Sequence, residues 1–446
     1  MTVNLSFFND KAIHSRILAL ALPMVLSNIT VPLLGLVDAA VIGHLEHAWY
    51  LGGVALGGTM ISVTFWLFGF LRMSTTGLTA QSAGAQDKHA LGLTFLQGSA
   101  MALLFATLFL LLHQSIAEQI FAFSDASEDV KLYGAQYFTI RAWSAPAALM
   151  NFVLLGWLLG TQKAKAPMWV VIITNVTNIV LDVFFVLGLG WKVEGAAFAS
   201  VIADYSGMGF GLWCVINSWR KQNLPHPSTF VSGLTNDIGR FIRLNRDIFL
   251  RSLCLQLTLS FMTFQGASYG DNVVAANAVL MSFVMIISYG MDGFAYAMEA
   301  MVGKAIGGRN RDELKETIMG TFFWGIFICL MLSFLFFFFG QSLVGMITSI
   351  DSVKSVAMQY LPWLVAMPLI SLWAFLFYGL FIGATKGKEM RNSMFIATCF
   401  FFAIFFLASA LDNHALWLAM SLFMGMRGVG LGIIFIRQWR CGQFLA

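Results

Sequence analysis

The sequence predicts an all-α integral membrane protein: 12 transmembrane helices in two six-helix bundles, an N-lobe and a C-lobe, related by a pseudo-two-fold axis along the membrane normal. Composition, the spacing of apolar stretches and an internal repeat carry this expectation. Of 446 residues, 59% are hydrophobic and only 11% charged, and the mean hydropathy is +0.78. No soluble domain of this length sustains such a balance. A span takes about 20 apolar residues, and twelve such stretches are centred near residues 30, 65, 103, 147, 179, 206, 258, 287, 327, 370, 401 and 424.

Span 1 is apolar from Ile17 to Ile42 apart from Ser27, Asn28, Thr30 and one acid, Asp38, and it outruns the hydrophobic core of a cleavable signal. Spans 2 to 6 follow at short intervals. The longest polar stretch, Asn217 to Arg246, separates span 6 from span 7 and is too short to hold a core of its own. The expected organisation is therefore 1–220 for the N-lobe, 221–243 for a cytoplasmic linker and 244–446 for the C-lobe. Taking both termini and the even-numbered connections as cytoplasmic places 20 of the 26 Lys and Arg on that side, which the positive-inside rule favours. On this count Arg251 belongs to a cytoplasmic connection and Arg141 to an outer loop, while Arg72 and Arg427 lie within spans. The five cysteines form no CxxC pair, so neither disulfides nor a metal site are expected.

The repeat changes how each position is read. Residues 136–165 align without gaps on 359–388, a shift of 223, with identities at Gln136/Gln359, Tyr137/Tyr360, Gly156/Gly379, Gly160/Gly383, Lys163/Lys386 and Lys165/Lys388. Across this repeat Asp38 has Phe261 as its counterpart. On span 5, Asn175, Asn178 and Asp182 are spaced i, i+3, i+7 on one helical face, and their counterparts are Thr398, Phe401 and Phe405. The N-terminal half is thus expected to hold an acidic polar chamber and the C-terminal half a largely apolar one.

A charge at the centre of a span opposes insertion by about 2.5–3.5 kcal/mol, so Asp38 needs a use. Burial disfavours the ionised form of a carboxyl group, and two close carboxylates tend to share a proton. The same oxygens also suit Na⁺, and the sequence leaves both ions open. Pro23, inside span 1, removes a backbone hydrogen bond and favours a kink. Its counterpart is Arg246, so the hinge belongs to one half.

The strings PLLGLVDAAVIGH (32–44), FLRMSTTGLTAQSAGA (70–85), GWLLGTQKAKAP (156–167), NVTNIVLDV (175–183), LNRDIFLRS (244–252), MDGFAYAMEA (291–300) and LFIGATKGKEMRNS (380–393) resemble the multidrug and toxic compound extrusion transporters, specifically their DinF branch. The resemblance covers nearly the whole chain. It implies a secondary active transporter that exports small amphipathic, often cationic, organic compounds by alternating access in exchange for H⁺ or Na⁺. It further implies a monomer with no cofactor and no nucleic-acid partner, multi-pass in the bilayer of a bacterial cytoplasmic (inner) membrane, and not an enzyme. By position it assigns ion coupling to Asp38, Asn178 and Asp182 with Tyr137 and Ser200 beside them, and helix bending to Pro23. Protonation of the N-lobe aspartate would bend helix 1 and drive release. No metal is assigned apart from Na⁺ at Asp38, Asn178 and Asp182.

Another bacterial branch of that family carries acids in spans 7 and 10. Here span 7 offers only Gln256 and Gln265, and span 10 no acid. Asp292 and Glu299, seven apart on span 8, and Arg72 on span 2 are candidates for a cleft or gate. Arg427 is expected to anchor backbone carbonyls or an acid near the cytoplasmic ends, and Asp204 either extends the polar cluster or faces an interface. Met150, Trp143 and Tyr137 are candidate substrate contacts, and His44 and His47 read as solvated loop residues. The alternative function is a lipid or lipid-linked oligosaccharide flippase of related architecture, to which the few embedded cations are poorly suited. A membrane-bound transferase is less suited still, since the seven histidines are scattered.

Overall fold

The structure, a computed structural model, describes residues 11–43, 45–122, 124–235 and 237–444; the side chains of Leu33, Leu36, Asp38, Ala39 and Val231 lie outside that description. Among the described residues the chain is helical throughout, with no strand. Fourteen α-helices follow in order: α1 (Lys11–Gly43), α2 (Ala48–Leu67), α3 (Phe70–Gly84), α4 (Lys88–Ala122), α5 (Glu128–Ala142), α6 (Ala145–Gly160), α7 (Lys165–Asp182), α8 (Lys192–Lys221), α9 (Ile238–Ala267), α10 (Asp271–Gly307), α11 (Arg311–Ile347), α12 (Asp351–Gly383), α13 (Gly387–Leu407) and α14 (Asn413–Arg440). Among the described residues eleven stretches are long and apolar enough to cross a membrane, α2 and α3 counting as one. The pair α5 and α6, bent by 54°, makes the twelfth.

The chain divides into two compact units, Leu26–Phe241 and Met1–Val25 with Ile242–Ala446. Helix α1 therefore serves both. Its first part is held within the second unit: Arg16 pairs with Glu313 at 3.0 Å, and the Trp324 indole donates to His14 at 3.1 Å. Gly293 of α10 lets α1 close in, since a Cβ there would stand 2.9 Å from the Ala21 carbonyl oxygen. The residues 222–235 that follow α8 pack on the first unit, where Gln97 donates to the Leu234 carbonyl at 3.0 Å and Phe230 fills the space over Gly92.

The repeat has a packing cause. A Cβ on Gly156 would lie 2.5 Å from the Arg72 carbonyl oxygen, and one on Gly379 would lie 2.5 Å from that of Ala295. Gly160 and Gly383 repeat the arrangement one turn on, against Thr76 and Glu299. In each half the helix after the midpoint lies against the second span with almost no side chain between, the small-residue packing that apolar solvent favours. The repeated lysines act alike. Lys163 donates to Ser218 at the end of α8, and Lys386 donates to Gln438 at 2.9 Å and to the Gln443 carbonyl at 3.1 Å beyond α14.

Two predictions follow from this packing. Gly379→Ala should destabilise the fold by about 1–3 kcal/mol through overpacking. By contrast Gly209→Ala, whose Cβ meets open space, should be neutral or stabilising by up to about 1 kcal/mol; thermal denaturation in detergent separates the two. Lys163 and Lys386 sit in the connections between spans, and burial holds both amines below the usual lysine range. Their charged forms thus penalise the folded state below the folded pKa, and that penalty fades as pH rises toward the unfolded value. Stability should therefore rise with pH in the alkaline range, and by less in a Lys163→Met/Lys386→Met protein, as melting curves at stepped pH would report.

Candidate functional site

The buried side chains of α7 include the three polar ones that sequence spacing put on a single face: Asn175, Asn178 and Asp182. Asp182 is only 1% exposed. Val176 and Val180, on other faces, are exposed, so α7 turns its polar stripe inward and its apolar surface outward, as a lipid-facing helix must. The stripe is tied on two sides. Asn175 donates from Nδ2 to Thr30 Oγ1 of α1 at 2.6 Å, and Asn178 donates to Ser200 Oγ of α8 at 2.9 Å. Directly after Asp182 the helix widens into a π-helical turn, Val183–Gly188, a rare form that recurs at functional sites.

Asp38 lies on α1, but its side chain falls outside the described residues. Its level is still bracketed. Eight residues before it, Thr30 bonds Asn175; three and four residues after it, Val41 and Ile42 share a packed cluster with Val186 and Tyr137. Since Asn175 precedes Asp182 by seven residues and Val186 follows it by four, α1 and α7 run parallel with Asp38 and Asp182 at matching heights. The counterpart positions agree. Phe261 lies 5.9 Å from Phe401 and 5.1 Å from Phe405, ring centre to ring centre, both edge-on. Where the first unit carries Asp38, Asn178 and Asp182, the second carries Phe261 packed against both Phe401 and Phe405.

Tyr137 is buried, and its hydroxyl is hydrogen-bonded with Arg141. Arg141 in turn forms an ion pair with Asp204 at 2.6 Å, both side chains mostly covered. Sequence counting had put Arg141 in an outer loop. The structure corrects this: it lies in the last turn of α5, at the bend in the fourth span. Asp204, four residues after Ser200 on α8, extends the cluster. Asn151 of α6 donates to its backbone carbonyl at 3.1 Å.

Pro23 lies inside α1, two residues before the point where the helix passes from one unit to the other. Arg72 is buried in α3 of the first unit, and Asp292 and Glu299 lie on α10 of the second, where both act electrostatically on Arg251. Arg251 is a second correction, since it is a buried residue within α9 rather than a loop cation. Arg427 is a third. Its guanidinium donates to the Met424 thioether at 3.0 Å and lies 5.5 Å from the Phe423 ring, mid-helix. The C-terminal half is apolar at the counterparts of the acids and charged elsewhere. Of the substrate candidates, Met150 is buried in α6 and Trp143 is 58% exposed. His47 stacks on Trp49 at 4.0 Å, and His44 lies outside the described residues.

A family model described as MatE matches the chain twice, at residues 23–184 and 248–408, once in each repeat. The chain belongs to the MatE family. It is 43% identical over 98% of its length, and 94% of the relative's, to DNA damage-inducible protein F of Escherichia coli strain K12, which agrees with the DinF resemblance. Multidrug export protein MepA of Staphylococcus aureus strain NCTC 8325 / PS 47 is 20% identical over 91% of this chain and 90% of its own. A solved structure described as MATE in the bent conformation aligns with a TM-score of 0.85 at 19% identity over 97% of both chains. The family's members are transporters, and the fold agrees with theirs.

Removing one partner of a mostly buried ion pair leaves the other charge uncompensated. Arg141→Met or Asp204→Leu alone should cost about 3–5 kcal/mol of stability, whereas the double change Arg141→Met/Asp204→Leu should cost less than either. A double-mutant cycle on melting temperature in detergent checks this.

Proposed function

We propose that this protein is an ion-coupled exporter of small amphipathic, often cationic, organic compounds, working by antiport in a bacterial cytoplasmic membrane with both termini inside. The observation that carries the reading is the bracketed level of Asp38 and Asp182 on two parallel helices, with Asn178 and Ser200 alongside. Two carboxyl groups at membrane depth lose less by sharing a proton than by both ionising. Protonation at this pair changes the bonding between α1 and α7, and Pro23 supplies the hinge through which α1 responds. Because α1 belongs to both units, a change in its shape reaches each of them. Moving such an equilibrium from 1:99 to 99:1 takes about 5.5 kcal/mol of differential binding, within reach of protonation combined with substrate competition. Tyr137 belongs to the same site through Arg141.

Na⁺ remains the alternative ion, since the same oxygens suit it, and the experiment distinguishes the two. In proteoliposomes with pH and sodium gradients imposed separately, the parent should export a fluorescent cation when the proton gradient alone is applied. Asp38→Asn and Asp182→Asn should each lower that rate at least tenfold while keeping the parent's elution profile in detergent. Export driven by sodium alone would replace H⁺ by Na⁺, and undiminished proton-driven export by Asp38→Asn would overturn the assignment.

A further inference from the structure

The second unit contains a charged cluster unconnected with the Asp182 face. Arg251 of α9 and Arg427 of α14, each 6% exposed, line one small cavity together with Tyr378 of α12 and Ser393 of α13. Arg427 stands 14 residues from one end of α14 and 13 from the other, about 20 Å in either direction at 1.5 Å per residue. It is therefore at mid-membrane depth, where a cation without a counter-charge is costly.

The protein supplies soft partners here. The Arg251 guanidinium lies 4.0 Å over the Tyr378 ring. Arg427 donates to the Met424 thioether and lies near the Phe423 ring, while its own carbonyl accepts from Ser393 at 3.4 Å. A guanidinium carries five N–H donors, and a thioether is a weak acceptor. Among the described residues no carboxylate comes within ion-pair distance of either arginine. Asp292 acts on both arginines, and Glu299 on Arg251, from farther away. They offset net charge, and the Tyr378 hydroxyl accepts from Arg251, but neither acid lines the cavity. Two like charges in one cavity also repel, which an anion between them would reverse.

We propose that this cavity binds a single small inorganic anion of halide size, chloride in the cell, held by the guanidinium groups of Arg251 and Arg427. Size sets the class: the cavity is small, which favours a monatomic ion over a tetrahedral oxyanion or an organic acid. The bound anion would join α9, α12, α13 and α14, so its effect is on the second unit and does not depend on the exporter reading. A chain that exported nothing would bind it as well.

The test uses the full-length protein in detergent. Its melting temperature in sodium chloride, sodium bromide and sodium gluconate at matched ionic strength should be higher in the two halides by about 2–4 °C, saturating with concentration as linkage requires. Arg427→Gln should lose that difference. Crystals of the parent grown in bromide should show an anomalous peak between Arg251 and Arg427, which decides the matter if the variant fails to fold. Equal melting in chloride and gluconate, a halide effect undiminished in Arg427→Gln, or bromide peaks only at other places would each overturn the proposal.

Discussion

Three polar side chains on one face of α7 impose the constraint around which the first unit is arranged. An amide or carboxylate at membrane depth has no water to turn to, and leaving it unsatisfied costs several kcal/mol. Asn175 is answered by Thr30 and Asn178 by Ser200, so α1, α7 and α8 are held at fixed heights relative to one another. Those heights bring the position of Asp38 level with Asp182. The π-helical turn that follows Asp182 packs Val186 against the end of α1, fixing the far side of the same seam. The chemistry proposed for this site thus rests on hydrogen bonds made by its neighbours.

The two halves share a frame and differ in what they place on it. Paired glycines at 156 and 160, and again at 379 and 383, bring one helix onto the backbone of another. The lysines at 163 and 386 tie the following connections to the ends of α8 and α14. These features recur because packing demands them wherever the same helices meet. The acids do not recur. Phenylalanines touch where the carboxyl face would be, which satisfies the same volume by dispersion and edge-to-face contact and removes any site for a proton.

Charge in the second unit has a different distribution. Arg251 and Arg427 are buried among a tyrosine ring, a thioether and a phenylalanine, with acids at longer range. In the first unit the embedded cation Arg141 meets Asp204 directly. That pair closes its charge within the chain, while Arg251 and Arg427 line a cavity.

The sequence by itself determined the class, the number of spans, the repeat and the inward face of α7, because each depends on a periodicity or composition that local physics enforces. It also marked Gly156 and Gly379 as equivalent without saying why. Where Arg141 and Arg251 sit, and what Arg427 meets within its span, was decided by tertiary structure alone. An arginine near a helix end reads like a loop cation in a charge count, and only the surrounding helices reveal whether it meets a carboxylate, a ring or a cavity. The division of α1 between two units was likewise invisible along the chain. A continuous helix looks the same from either side, and the neighbours that claim each part of it, Glu313 and Trp324 for one and Asn175 for the other, lie far away in sequence.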